Sequence, residues 1–272
     1  MAGRGRKIMI GCGIGCAAAL VLTIIVTVGG GLLLMRPFNR AIEDQEVLAD
    51  RYGDRDAYAP GPQTMTPERL DRFLAVRAPL QDLCIGFEEI GEAFTAMEEI
   101  DKSGEAPSSG LILKSVGDVM GAAFGIAGKL GEYTEARNAA LVEQDMGLGE
   151  YVWIYTLAYY SYLGREPGTG FDGSESAGMS GAEIDLLTSM ARRYGENLAA
   201  AGRSEEAALW EAESRRMART EEGVPFAGGD LPATLADLFE PRRAELEAVF
   251  CPHTADVEFG EVERKGLSIR SR

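Results

Sequence analysis

Histidine is almost missing from this chain, which has only His253. A carboxylate-bridged metal pair in a helical bundle draws on two Glu-x-x-His elements and two further glutamates, so one histidine excludes it. Cysteine is nearly as scarce. Of the four, Cys12 and Cys16 fall in an apolar run, while Cys84 and Cys251 are far apart, so no zinc-ligand spacing exists. Cys251-Pro252-His253 sets a thiol two residues from an imidazole. A nucleophile and its base normally meet across a fold with an orienting acid, and none is identifiable here. No stretch alternates as a strand, no repeat is evident, and no glycine-rich loop has the strand-loop-helix setting that phosphate binding needs. Nothing in the sequence calls for a cofactor. Positive charge is also short: with Arg4, Arg6 and Lys7 set aside, 24 basic residues face 43 acids, a net of −19. So acidic a body repels phosphate backbones and anionic headgroups, which argues against nucleic acid and against a lipid-hugging surface.

The feature that organises the rest is the uncharged stretch Ile8 to Met35. As a helix it would be roughly 42 Å long, against a hydrocarbon core of about 30 Å. Arg4, Arg6 and Lys7 precede it, whereas Arg36 and Arg40 are soon joined by Glu43, Asp44 and Glu46. The denser basic cluster is N-terminal, which predicts a cytoplasmic tail over 1–7, a single-pass transmembrane signal anchor over 8–35 and an extracytoplasmic remainder, periplasmic in a two-membrane bacterium. Thr27-Val28-Gly29 would serve as a cleavage site, but Leu32 to Met35 carries the apolar run past it, so the anchor is expected uncleaved. Ile10-Gly11-Cys12 resembles a lipobox with almost no apolar region ahead of it. Gly11 and Gly15 share a helix face and would allow two anchors to approach as a homodimer.

After the anchor, 36–63 reads as a polar juxtamembrane spacer closing in Ala59-Pro60-Gly61-Pro62. An all-α bundle of about five to seven helices is expected over 64–251. Thr66-Pro67-Glu68 offers an N-cap, a proline at the first helical position and an acid in the first turn. Leu70, Phe73, Arg77, Leu80, Cys84 and Phe87 then recur at three- and four-residue steps, with Pro79 dividing the helix near Ala78. Residues 110–144 keep helical periodicity and place Gly117, Gly121 and Gly125 in one row. Each costs roughly 1 kcal/mol of helix propensity relative to alanine, so the row predicts a closely packed second backbone. Lys114, Asp118 and Lys129 argue against a second span there. Residues 150–163 are uncharged after Glu150 and rich in tyrosine, the pattern of a helix buried on all sides. Helices follow over 182–201, over 204–220 with Ser204 as N-cap, and over 232–239 and 241–250. The tail, 252–272, shows little periodicity, is expected to be poorly ordered, and ends in a basic run: Arg264, Lys265, Arg270 and Arg272.

Three functions compete. The favoured one is a noncatalytic, membrane-anchored interaction or scaffold module of the cell envelope that binds another envelope protein. The second is a binder or sensor whose Glu150, Tyr151, Trp153, Tyr155 and Tyr159 line a pocket for an apolar or sugar-like ligand. The third is an envelope hydrolase using carboxylates such as Glu150, or the clusters Glu88, Glu89, Glu92 and Glu98, Glu99, Asp101, since paired acids ~5–9.5 Å apart can cleave glycosides. On an amphipathic helix such clusters more often form a solvated face. Cys84 and Cys251 are the two thiols left for an oxidising compartment, and a disulfide between them would tie the chain's end to its first domain helix.

Overall fold

Why the chain takes helices where it does is visible at their ends. In the computed structural model, which describes residues 40–87, 128–167, 179–220 and 223–260, α2 spans Pro67–Arg77, and the Thr66 hydroxyl accepts from the Arg69 N–H at 3.3 Å. Pro79 can donate no backbone hydrogen bond, and there the helix passes into a 3-10 turn, Ala78–Leu80, before α3 over 81–87. α6, Gly181–Ala200, opens on a reciprocal capping box between Ser180 and Glu183. α7, Ser204–Met217, starts one residue earlier than its sequence suggests: Arg203 is the N-cap, and Ser204 is already helical and caps nothing.

The remaining elements are α1 over 40–52, α4 over 128–143, α5 at Leu148–Tyr155, α8 at Ala233–Phe239, α9 at Arg243–Ala248 and the short α10 at Ala255–Glu258. The described residues are thus all-helical, with no strand among them. None of their helices is long and apolar enough to cross a membrane. The anchor expected over 8–35, its Gly11 and Gly15 face, the Gly117, Gly121, Gly125 row and the acidic clusters at 88–101 lie outside the described residues.

α5 is the centre. Tyr151, Trp153 and Tyr155 have no exposed surface, and neither do Leu157, Ala158 and Tyr159 in the seven-residue π-helical continuation Thr156–Tyr162. The wider π turn sets side chains four and five apart side by side, which gathers Tyr155, Tyr159 and Tyr160, with ring centroids 4.7 and 5.5 Å from Tyr155. Against the other face stand α6 and α7, an antiparallel pair joined through Gly202, whose φ of +81° suits the left-handed turn. Gly195 lets them close: a Cβ there would come within 3.2 Å of the Trp210 Cβ. Trp210 then meets Trp153 at 5.3 Å and Tyr194 edge-on at 4.9 Å. Rings of this size carry the largest apolar areas in a core, and edge-on pairs add about 0.5–1.5 kcal/mol beyond burial.

Two expectations of the sequence need correction. The stretch over 36–63 is no spacer in its described part: Ala41 and Leu48 are buried, and Arg193 donates to the Asp56 and Tyr58 carbonyls at 2.9 and 2.8 Å. Asn197 likewise donates to Pro60 at 2.7 Å. Its apolar positions were too sparse to signal burial, and its packing comes from carbonyls that side chains of a distant helix seek out. Residues 252–260 are no loose tail either, since Val257, Glu258 and Phe259 are buried.

Gly149 shows how closely residues 55–58 pack on α5. A Cβ there would stand 2.7 Å from the Tyr58 ring carbon Cγ and 3.1 Å from the Arg55 carbonyl oxygen. Gly149→Ala is therefore expected to destabilise the fold by about 1–3 kcal/mol in chemical unfolding, although alanine is the better helix former. An increase in stability would show that the 55–58 segment gives way freely.

Candidate functional site

Arg77 sits in register with the apolar stripe of α2, and an arginine in that position must find an acid or be lost to desolvation. It finds Glu258, at the end of α10, with both side chains fully buried. Arg77 Nη1 donates to Glu258 Oε1 and to the Tyr133 and Tyr151 hydroxyls at 2.8 and 2.9 Å. Those two hydroxyls donate in turn to Glu258 at 2.5 and 2.6 Å, and Thr254 Oγ1 adds a fourth bond at 2.8 Å. The rest of the guanidinium is used on Val249, whose carbonyl accepts from Nε at 3.2 Å and Nη2 at 2.9 Å. Its flat face lies 5.3 Å from the Tyr155 ring centroid and 5.6 Å from that of Tyr159.

Burial on its own would raise the Glu258 carboxyl, but Arg77 and the two tyrosine hydroxyls outweigh it and hold it below the ordinary 4.5. Burial would lower Arg77, and Glu258 more than restores it, so both partners are charged. Because the folded carboxyl titrates lower than the unfolded one, its contribution is fully present above about pH 4.5 and lost as pH falls through its depressed value. The stability gap between the parent chain and Glu258→Gln is therefore expected to narrow as pH is lowered below 4.5 in a denaturant series. A gap that stays constant would mean that the carboxyl is not selectively ionised in the fold.

Two further arginines close on the same segment. Arg137 of α4, fully buried, donates to the carbonyls of Val257 at 2.6 Å, Glu258 at 3.0 Å and Gly260 at 3.0 Å. Arg55 donates to the Phe259 carbonyl. Beside them Cys84 of α3 and Cys251 are joined by a disulfide, their Cα atoms 5.8 Å apart across a sequence separation of 167. Every side-chain nitrogen and oxygen of the Arg77–Glu258 pair has a partner and no surface of either side chain reaches water. Such a constellation can hold the chain's last described residues against the core, and it offers no group to a substrate. A Cys251 sulfur already bonded to another sulfur is likewise no nucleophile.

The pocket expected along the aromatic helix is not formed by those residues. Tyr151, Trp153, Tyr155 and Tyr159 have no surface that a water-sized sphere can touch, so they fill core and line no cavity. The physical reason is that α5 is surrounded by α2, α6, α7 and the terminal segment, which spend its rings on one another. Glu150, at the edge of this core, is paired with Arg69, which donates to Oε1 at 2.5 Å and also to Oε2. Burial raises the Glu150 carboxyl and Arg69 only partly offsets it.

Near this pair Arg51, Tyr52 and Arg72 surround Asp145 at 2.7, 2.5 and 3.6 Å. Asp145 holds a left-handed φ of +54°. The Tyr52 hydroxyl bond, helped by the neighbouring arginines, holds its carboxyl below the ordinary value. Among the described residues no group of three or more His, Cys, Asp or Glu side chains comes together as a metal site.

One open groove, of about 660 Å³, runs between the N-terminal ends of α7 and α8. Arg203, Glu206, Pro232 and Thr234 line it, with Leu209 53% exposed. Sequence reasoning passed over Glu258, Arg137 and this groove. The available signals were an arginine in register with an apolar stripe and a glutamate between Val257 and Phe259. No family model, curated protein or solved structure matches the chain.

Proposed function

We propose that the chain is a noncatalytic module of the cell envelope, held by one N-terminal membrane helix and presenting its helical domain outside the cytoplasm to another envelope protein. The observation that carries this reading is the engagement of the carboxylates best placed for chemistry. Glu258 takes bonds from an arginine and three hydroxyls, and Glu150 is held by Nε and Nη2 of Arg69. Both are committed to partners within the fold.

The Cys84–Cys251 disulfide supports the compartment, because such bonds persist where thiols are not kept reduced. The open groove between α7 and α8, beside the exposed Leu209, is the surface at which a partner would dock. A photo-crosslinking residue at Leu209, activated in the native membrane, is expected to give a discrete heavier adduct that identifies the partner. Turnover of a glycan or peptide by the purified chain, abolished in Glu150→Gln, would replace this reading with the hydrolase.

A further inference from the structure

We infer that two copies of the chain pair through the outer face of α7, antiparallel about a two-fold axis at Ala212. The inference goes beyond the docking reading above and does not depend on it. α7 buries Ala207, Trp210, Ser214 and Met217 in the core, so its opposite side faces water. Glu205 and Ala212, seven residues apart, fall on one line of that side. Arg219 follows at the same interval, in the turn that closes the helix, its N–H bonded to the Arg216 carbonyl at 2.9 Å. All three are exposed, as are Ala208 and Leu209 beside them. α8 meets α7 on another side, where the Thr234 hydroxyl donates to Glu206 at 3.0 Å. The groove therefore lies next to this face, and Ala212 and Arg219 stand outside it.

Charge says what covers this face. α7 is acidic in its first turn, with Glu205 and Glu206, and basic in its last, with Arg215 and Arg216. Most of these charges are spent nearby: Glu206 on Arg203, Glu211 on Arg215 and Glu213 on Arg216. Glu205 and Arg219 pair with nothing among the described residues. They stand on either side of Ala212, each about 10 Å from it along the helix axis. A two-fold axis at Ala212 therefore puts Glu205 of each copy opposite the partner's Arg219, so that one operation makes two ion pairs. It also lays Leu209 along the aliphatic stem of the partner's Arg215. Ala208 and Ala212, with nothing beyond Cβ, let the two helix axes approach to about 8–10 Å. A parallel pairing would instead set Glu205 against Glu205 and Arg219 against Arg219. Most of the surface of a chain with net charge −16 repels its own copy, and this face, with one unpaired acid and one unpaired base, does not. A single helix pair is at the small end of specific interfaces, so the dimer exchanges with monomer and is best read by trapping.

The test uses the full chain in detergent with Cys12→Ala and Cys16→Ala, its disulfide intact, and Ala212→Cys added. Under mild oxidation with copper phenanthroline this chain is expected to give a band of twice the mass on a non-reducing gel. Ala244→Cys, exposed on α9, should trap far more slowly. Glu205→Arg or Arg219→Glu, each setting like charges together twice, should slow trapping through Ala212→Cys about tenfold. The two reversals combined should restore it, because the pairs re-form with their signs exchanged. A dimer held by the N-terminal segment alone would trap without responding to any reversal, and that result would overturn the proposal. So would trapping through Ala212→Cys no faster than through Ala244→Cys, or a double reversal as slow as the single ones.

Discussion

Glu258→Gln is expected to lower the free energy of unfolding by about 3–5 kcal/mol, the range for removing one partner of a buried ion pair. The substitution is nearly isosteric, so the loss measures the charge of Arg77 left without its counterion, together with amide protons facing the Tyr133 and Tyr151 hydroxyls that formerly donated to the carboxylate. Chemical unfolding of the purified chain, followed by the signal of its buried tryptophans, gives the number. Replacing both charges, by Arg77→Met with Glu258→Leu, should recover part of the loss. Recovery stays incomplete because two hydroxyls and the Val249 carbonyl then lack partners. A single-variant loss below about 1 kcal/mol would mean that water or rearranged side chains reach Arg77, and would contradict its burial.

The second large effect concerns the disulfide. A bond across a sequence separation of 167 removes far more freedom from the unfolded chain than a local one. The chain-entropy relation puts this near 5 kcal/mol, within an observed range of about 0–5. Cys84→Ala with Cys251→Ala is therefore expected to cost about 2–5 kcal/mol, and to expose the 249–260 segment to protease before the rest of the domain. The order of cleavage follows from what remains. Arg55, Arg77 and Arg137 still hold the segment, but its covalent tie to α3 is gone. In the parent chain, alkylation after unfolding without reductant should modify only Cys12 and Cys16. Modification of all four cysteines would show that the bond is not formed.

How much of this was legible in the sequence follows the kind of interaction. Periodic apolar burial and local end signals were readable. Thr66-Pro67 marked the start of α2, Pro79 marked its division, and the uncharged, tyrosine-rich run from Glu150 marked a helix with rings buried on every side. Long-range polar pairing was not. Nothing local says that Arg77 meets a glutamate 181 residues later, or that Arg193 and Asn197 pull the carbonyls of residues 56–60 into the fold. A segment held through its backbone carbonyls needs no apolar pattern of its own, which is why 36–63 resembled a spacer and 252–260 a loose tail. The aromatic helix was recognised as core, yet the same rings were also assigned a pocket. Burial and ligand binding draw on one residue type, and only packing separates them. The π turn had no signal at all.

The proposed topology, an anchored chain with its disulfide-tied domain outside the cytoplasm, is tested most directly by protease access to a C-terminal tag in intact spheroplasts. Externally added protease is expected to remove the tag from intact spheroplasts while a cytoplasmic control protein survives. A tag that is shielded until the spheroplasts are lysed would contradict it.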